Sequence, residues 1–178
     1  MMNDFWVFGY GSLMWNPGFI FDKQVPARLY GYHRSLCIYS HFYRGTPDKP
    51  GLVFGLAKGG CCNGLAFHIP KKTAKATYEY LLEREQINNV YNEKQCALYT
   101  KLHKPIEALV FVANPHHAQY AGGLSLHDKL TIIDKSNGEK GSTRDYVLNT
   151  LKLLKQNGIK DKALTTLEHA LVNDKILN

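Results

Sequence analysis

The first two thirds of the chain carry short apolar runs separated by clusters of glycine, proline and polar residues, a pattern that predicts β-strands. The predicted strands cover residues 5–10, 33–43, 51–57, 61–69, 95–103 and 106–114. Gly59 and Gly60 stand between the third and fourth of these strands and predict a tight hairpin. The segment 44–51 is dense in turn residues and predicts a loop.

One helix is predicted among these strands, directly after Pro70. The residues that share one face at helical spacing are Ala74, Tyr78, Leu81, Leu82 and Glu85. This spacing predicts an amphipathic helix over about 71–86, with its apolar face turned toward the core.

The last third of the chain changes to a helical pattern. Ser125 and Ser142 each stand three residues before an aspartate, which is typical of helix N-caps. Helices are therefore predicted over 125–134 and 142–155. The apolar positions of a final predicted helix are Leu164, Leu167 and Leu171.

The order of these elements predicts an α+β fold. We expect a small, mostly antiparallel, barrel-like sheet with one inserted helix and a helical C-terminal part that begins at about residue 125. The chain has 178 residues, of which 44% are hydrophobic and 21% are charged, and these values are typical of a globular protein. We expect a single domain over residues 1–178.

Neither a membrane span nor a secretory signal is predicted. No apolar run approaches the ~18 residues of a transmembrane helix. An acid stands near the N-terminus, where a signal peptide carries lysines. The four cysteines form no CxxC motif, so we expect a cytoplasmic protein with reduced thiols.

The net charge of +7 arises from 22 Lys and Arg against 15 Asp and Glu. The excess is spread along the chain without a block of five basic residues, whereas a nucleic-acid site is denser in charge. A mild positive field suits a small anionic substrate. We therefore expect no nucleic-acid partner, because only the net charge would support a nucleic-acid-binding domain. We also expect no membrane partner.

Glu85 is the acid with the most informative position. It lies on the apolar helix face and in the last turn, where the helix dipole disfavours an anion. Burial at this place would raise the pKa of the carboxyl toward neutrality, which suits a general base. The alternative is that the helix frays by residue 84, so that Glu85 is a surface acid or a partner of Arg84 or Lys94.

The segment 9–13, after the first strand, can turn several backbone N–H groups toward one point, because glycines flank Tyr10. Such a nest binds a carboxylate or a developing oxyanion. The alternative is a tight turn in which the serine hydroxyl is satisfied internally. The segment lacks the spacing of a phosphate-binding loop.

Two further residues are candidates for substrate contact. Arg44 lies in a loop that contains two prolines, and a constrained arginine can clamp a carboxylate; the alternative is a solvated loop. Tyr146 lies in the first turn of a predicted helix and can reach a pocket, although a buried core tyrosine is the default. The pair His116-His117 has no further ligands at suitable spacing, so no metal site is predicted.

Four stretches of sequence, spread from residue 5 to about residue 155, carry a family resemblance. They are FWVFGYGSLMWNPGF (5–19), YRGTPDKPGLVFGL (43–56), YLLEREQINNVY (80–91) and RDYVLNTLKLL (144–154). In this order and combination they resemble the ChaC-type γ-glutamylcyclotransferases, the glutathione-specific branch. The YGSL stretch alone is shared by a wider group of cyclotransferase-like proteins.

This resemblance implies a small barrel-like α+β fold and the cleavage of glutathione to 5-oxoproline and cysteinylglycine, with no cofactor. It places the catalytic role on Glu85 rather than on Glu83, which lies about 160° away around the helix. The residues that the resemblance assigns to substrate binding are Gly9, Tyr10, Gly11, Ser12, Leu13 and Tyr146.

Two stretches depart from the family pattern. Asn88-Asn89 precedes Tyr91 where many members have Gly-Gly, and Arg144-Asp145-Tyr146 replaces the commoner Asn-x-Glu-Tyr.

Two other interpretations stay open: a cyclotransferase for other γ-glutamyl amines or amino acids, and a non-catalytic module that binds a γ-glutamyl group. The sequence leaves the oligomeric state open.

Overall fold

A closed barrel of five strands forms the centre of the structure, a computed structural model that describes residues 2–85, 89–101 and 104–173. The strands are β1 (Phe5–Gly9), β2 (Lys23–Ser40), β3 (Gly51–Ile69), β4 (Tyr91–Tyr99) and β5 (Ile106–Ala113). Around the barrel they follow the order β1, β3, β2, β4, β5. Neighbouring strands are antiparallel except β1 and β5, which are parallel.

The helices confirm the predicted α+β class. They are α1 (Lys71–Glu85), α2 (Leu126–Lys135), α3 (Thr143–Gln156) and α4 (Lys162–Asn173), with a short 3-10 helix at Ser12–Met14. A small hairpin of β6 (Asn137–Gly138) and β7 (Gly141–Ser142) precedes α3. Within the described ranges, no helix combines the length and the hydrophobicity that a membrane span requires.

The bounds of β2 differ from the predicted strand 33–43. The strand begins at Lys23 and ends at Ser40, and it pairs with β3 along its length. Pro26 and Gly31 interrupt the apolar pattern of its first half, which is why the sequence alone did not indicate a strand there. Pairing with a neighbouring strand decides strand formation more strongly than local propensity does.

The predicted hairpin at Gly59 and Gly60 is wrong. β3 continues through both glycines, which have left-handed φ angles of 100° and 68°. They lie opposite Gly31, whose φ is 85°. The register between β2 and β3 shifts here, between Tyr30 and Tyr32. Because a bulge with a left-handed glycine bends a strand, these glycines curve a long two-stranded ribbon and do not reverse it.

The remaining elements differ from prediction mainly at their ends. β4 begins at Tyr91 rather than at residue 95, because it pairs with β5 from Tyr91 opposite Ala113. Residues 102–103, at the end of the predicted strand 95–103, lie outside the described residues, as does Gln86 at the predicted end of α1.

Two hydrophobic clusters bury both faces of the central strands. Along β5, Ala108 and Val110 belong to one cluster, and Leu109 and Phe111 belong to the other. The first of these clusters contains residues of the strands and Tyr10 and fills the barrel. The other also contains helix residues and lies between the barrel and the helices. Burial on both faces explains why β5 is a continuous apolar run.

The C-terminal helices pack on the outside of the barrel, and two serines fix where α2 and α3 begin. Ser125 Oγ accepts the N–H of Asp128 at 3.2 Å, and Ser142 Oγ accepts the N–H of Asp145 at 3.0 Å. Tyr146 follows in the first turn of α3. The apolar residues of α3 and α4 in the shared cluster include Val147, Leu151, Leu154, Leu164, Leu167 and Leu171.

All four cysteines are free thiols. Cys37 and Cys62 are buried, and burial raises the pKa of each of these two thiols to about 11. Both therefore stay protonated at neutral pH and behave as small apolar groups.

The cap of α3 gives a first prediction. We expect Ser142→Ala to lower the free energy of unfolding by about 1 kcal/mol, because the N–H of Asp145 loses its acceptor. Urea denaturation followed by circular dichroism measures this change. Ser125→Ala removes the matching cap of α2 and should cost about as much. A Ser142→Ala protein as stable as the parent would contradict the capping role.

Candidate active site

A cavity of about 870 Å³ lies where the segment after β1, the end of β2, the end of α1 and the first turn of α3 converge. Cavities that hold small molecules commonly measure about 300–1,000 Å³. Gly9 is not among its described lining residues; it ends β1, where an added Cβ would stand 2.9 Å from the Phe67 ring. The predicted site residues that line the cavity are Tyr10, Gly11, Ser12, Leu13, Arg44, Glu85 and Tyr146.

Glu85 is the last residue of α1, and it lies on the wall of this cavity. Its side chain is 15% exposed, and it continues the helix face on which Ala74, Thr77 and Leu81 are buried. Burial raises the pKa of the Glu85 carboxyl above its ordinary value, and the neighbouring Arg84 offsets part of this rise. The carboxyl is therefore an inward, largely desolvated acid rather than a solvated surface group.

Arg84 connects this acid to the segment after β1. Its Nε lies 3.3 Å from Glu85 Oε1. Its Nη2 donates to Ser12 Oγ at 2.9 Å, and its Nη1 donates to the hydroxyl of Tyr80 at 2.7 Å and to the carbonyl oxygen of Asn16 at 2.8 Å. One guanidinium thus holds the end of α1 against the segment that contains the predicted nest.

Along one edge of the first half of β3, backbone groups form hydrogen bonds with side chains instead of with a neighbouring strand. Among the described strands, β1 pairs with the C-terminal end of β3, and β2 pairs with its first half from the other side. Thr143 Oγ1 accepts the N–H of Leu52 at 3.1 Å, and the Tyr146 hydroxyl accepts the N–H of Phe54 at 3.1 Å. The Tyr91 hydroxyl donates to the carbonyl oxygen of Phe54 at 3.1 Å. All three hydroxyls satisfy buried backbone groups, and those of Tyr91 and Tyr146 belong to the wall of the cavity.

Three buried phenols face the cavity, those of Tyr10, Tyr91 and Tyr146. The Tyr10 hydroxyl donates to the carbonyl oxygen of Phe111 at 2.8 Å. Burial raises the pKa of all three phenols, so they stay protonated at neutral pH. Because Tyr146 accepts a backbone N–H, its own proton can be donated elsewhere. Its oxygen would stand 2.9 Å from a Cβ built on Gly11, so this donor lies directly beside Gly11.

Arg44 lies at the rim of the cavity. Its guanidinium carbon is 5.2 Å from the ring centre of Tyr146 and 5.9 Å from that of Trp15. It also donates to the carbonyl oxygen of Lys140, in the turn of the β6–β7 hairpin, whose backbone is hydrogen-bonded to the loop that carries Arg44. Arg44 is therefore half-buried and held in place, whereas Lys49, which lies in the same loop, is exposed.

Arg84, Tyr91 and the β6–β7 hairpin are parts of the cavity that the sequence did not indicate. The sequence analysis offers a pair between Arg84 and Glu85 only for the case in which Glu85 lies at the surface. In the structure, Glu85 points inward and still forms the ion pair with Arg84. The signal for Arg84 in the sequence is its position four residues after Tyr80, because residues four apart lie on the same side of a helix. Tyr91 stands before the predicted start of its strand. Residues 86–88, which precede it, lie outside the described residues.

Comparison with known proteins identifies the family. The model of the ChaC-like protein family matches residues 5–174. The glutathione-specific γ-glutamylcyclotransferase of Escherichia coli (strain K12) is 32% identical over 162 residues, which cover 91% of this chain and 70% of that protein. Gamma-glutamylcyclotransferase 2-3 of Arabidopsis thaliana is 37% identical over 172 residues, which cover 91% of this chain and 85% of that protein.

A solved structure shows the same fold. The crystal structure of a γ-glutamylcyclotransferase specific to glutathione from yeast matches with a TM-score of 0.89 over 97% of both chains, at 21% identity. The barrel, the inserted helix and the C-terminal helices thus define a γ-glutamylcyclotransferase-like fold. The chain belongs to the ChaC-like family.

The ion pair between Arg84 and Glu85 gives a second prediction. We expect Arg84→Met to raise the pKa of the Glu85 carboxyl further, because the neighbouring cation no longer stabilises the anion. Titration of the Glu85 side-chain carbon by NMR measures the shift. Arg84→Lys keeps a cation and should shift the pKa less. An unchanged or lowered pKa in Arg84→Met would show that the pair does not stabilise the carboxylate.

Proposed function

We propose that the protein is an enzyme that cyclises the γ-glutamyl group of glutathione and releases 5-oxoproline and cysteinylglycine without a cofactor. The observation that carries this proposal is the desolvated Glu85 carboxyl in one cavity with the residues 10–13. The names of the relatives from Escherichia coli and yeast support glutathione as the substrate.

The substrate contains its own nucleophile. The α-amine of the γ-glutamyl group attacks its own γ-carbonyl carbon, a five-membered lactam forms, and the C–N bond to the cysteine nitrogen breaks. The enzyme must hold the γ-glutamyl chain in a folded conformation, and orientation of this kind supplies a large part of the acceleration in enzymes. The cavity is large enough to hold glutathione in such a conformation.

Glu85 acts as the general base and then as the general acid. A free α-amine has a pKa of about 7.7–8.0 and is mostly protonated at neutral pH. The Glu85 carboxylate accepts this proton and delivers it to the leaving nitrogen of cysteine as the C–N bond breaks. The second proton, which the ring nitrogen loses as the lactam forms, passes to the released amine, so that cysteinylglycine leaves as an ammonium. The raised pKa of Glu85 makes proton transfer in both directions easier than it would be for an ordinary carboxylate.

Backbone and phenol donors stabilise negative charge on the substrate. In the tetrahedral intermediate the γ-carbonyl oxygen becomes an oxyanion, and N–H groups of the segment 10–13 together with the Tyr146 hydroxyl bind it or the α-carboxylate. The position of the Tyr146 hydroxyl beside Gly11 supports a shared role for these donors. Preorganised donors of this type supply a large part of catalysis in acyl transfer.

Arg44 binds a carboxylate of the substrate at the cavity rim. Glutathione carries two carboxylates and one ammonium, so its net charge is negative, and the protein has a net charge of +7. The stacking of Arg44 on Tyr146 and Trp15 supports this role, because an oriented guanidinium binds a carboxylate through two parallel hydrogen bonds.

Replacement of the proposed base gives a third prediction. We expect Glu85→Gln to lower kcat for release of 5-oxoproline by about 10²–10⁴-fold, because the amide cannot accept the proton. The variant should stay folded, because Arg84 keeps its hydrogen bonds to Ser12, Tyr80 and Asn16 when it loses the carboxylate, and the melting temperature checks this. Chromatographic detection of 5-oxoproline measures the rate.

Glu83→Gln is the matched control for this variant, since Glu83 belongs to the same helical turn and also borders the cavity, but its side chain is exposed. It should keep kcat within about tenfold of the parent. A Glu85→Gln enzyme with the parent rate, or a Glu83→Gln enzyme with the greater loss, would show that the base is assigned to the wrong residue.

The pH profile gives a fourth prediction. Since the base must be deprotonated, kcat/KM should fall as the pH drops through the raised pKa of Glu85, and Arg84→Met should move this acidic limb of the profile to higher pH.

The leaving group gives a fifth prediction. Glutathione should react with a kcat/KM at least about tenfold above that of γ-glutamylalanine, with or without EDTA. Equal rates would favour a general γ-glutamylcyclotransferase, and binding without turnover would favour a non-catalytic module.

A further inference from the structure

We propose that Arg34 is a positioning residue that aims the Gly11 N–H into the cavity, and that Asp161 at the start of α4 holds Arg34 for this task. The inference rests on the proposed function, because it concerns the donors that would bind the substrate's negative charge. Neither residue lines the cavity among the described residues, so any effect on the reaction is indirect.

Arg34 lies in β2 and is fully buried, with 1% of the residue exposed. Its Nε donates to the carbonyl oxygen of Tyr10 at 2.5 Å, and its Nη2 donates to the carbonyl oxygen of Asn63 at 2.6 Å. Its Nη1 forms an ion pair with the Asp161 carboxylate. All three nitrogens of the guanidinium are therefore engaged, and the group has one orientation.

The Tyr10 carbonyl and the Gly11 N–H belong to the same peptide group. A trans peptide is planar, and its C=O and N–H point in opposite directions. Because Arg34 is not among the described residues that line the cavity, the Tyr10 carbonyl that it binds is turned away from the cavity, whereas Gly11 lies on the cavity wall beside the Tyr146 hydroxyl. The same hydrogen bond therefore sets the direction of the Gly11 N–H, because the peptide cannot turn one group without turning the other.

Asp161 links this peptide to the C-terminal helix. It directly precedes α4, and its carbonyl oxygen accepts the N–H of Leu164 at 3.2 Å. Its side chain is 12% exposed and neutralises the buried guanidinium. A buried cation needs such a partner, because an unpaired charge in the protein interior is strongly disfavoured. The docking of α4 thus keeps Arg34 in the position that the Tyr10 carbonyl requires.

Arg34→Lys and Asp161→Asn test this role. Lysine keeps the charge but has one nitrogen, so it cannot hold the carbonyl of Tyr10 and the other two acceptors at once. Removal of one oxyanion donor costs about 10²–10³-fold in rate, and a misdirected donor costs less, so we expect each variant to lower kcat/KM for glutathione about tenfold. The change should appear as a lower kcat if the Gly11 N–H binds the oxyanion, and as a higher KM if it binds a carboxylate of the substrate.

Glu168→Gln is the matched control. Glu168 also lies in α4 and forms an ion pair with Lys155 of α3, and neither of the two is among the described residues that line the cavity. This variant should keep kcat/KM within about twofold. Asp161→Glu retains the carboxylate and should recover most of the activity that Asp161→Asn loses. Melting temperatures of all variants show whether the assay temperature lies well below unfolding.

The amide resonance of Gly11 in ¹⁵N-labelled protein gives a readout that does not depend on turnover. It should shift in Arg34→Lys and Asp161→Asn without substrate, and it should stay at the parent position in Glu168→Gln. An unshifted resonance, or a kcat/KM within about twofold of the parent in folded Arg34→Lys, would overturn the proposal. If the parent itself fails to cyclise glutathione, the proposed function fails, and the resonance still tests whether Arg34 orients the peptide.

Discussion

The site depends on buried backbone N–H and C=O groups at the edges of β3 and β5, which need hydrogen-bond partners. β1 is too short to cover either neighbour along its length, so Phe54 and Phe111 present polar groups to the interior. The hydroxyls of Tyr10, Tyr91 and Tyr146 bond to these groups. A buried N–H or C=O without a partner costs free energy comparable to a lost hydrogen bond. The same side chains that complete the barrel therefore become the wall of the cavity.

Two arginines hold the segment after β1 from opposite sides. Arg84 holds it from the cavity side, through Ser12 and the Asn16 carbonyl, and Arg34 holds it from the core, through the Tyr10 carbonyl. Each guanidinium is also paired with a carboxylate, which limits the cost of its burial. The proposed base and the proposed charge-binding segment are thus fixed relative to each other by charge-assisted hydrogen bonds, which are stronger than neutral ones.

The proposed chemistry uses this arrangement without requiring a second substrate. The amine and the carbonyl that react belong to the same molecule, so the protein needs to fold the substrate, move one proton and stabilise one oxygen. A desolvated acid, a set of fixed donors and a rim arginine are sufficient for these three tasks. The mild positive charge of the chain agrees with an anionic substrate, and its distribution along the sequence does not form a dense patch.

The sequence by itself determined the elements whose signals are local. The caps at Ser125 and Ser142, the inward face of α1 and the apolar runs of β1 and β5 depend on residues within a few positions of each other. Tertiary structure alone decided the continuity of β3 through Gly59 and Gly60, because left-handed glycines permit either a reversal or a bend, and the pairing with β2 selects the bend. It also decided that Glu85 keeps its ion pair with Arg84 on the cavity wall, since the Arg84 guanidinium is held there by Ser12 and Asn16, which lie far from it in the chain.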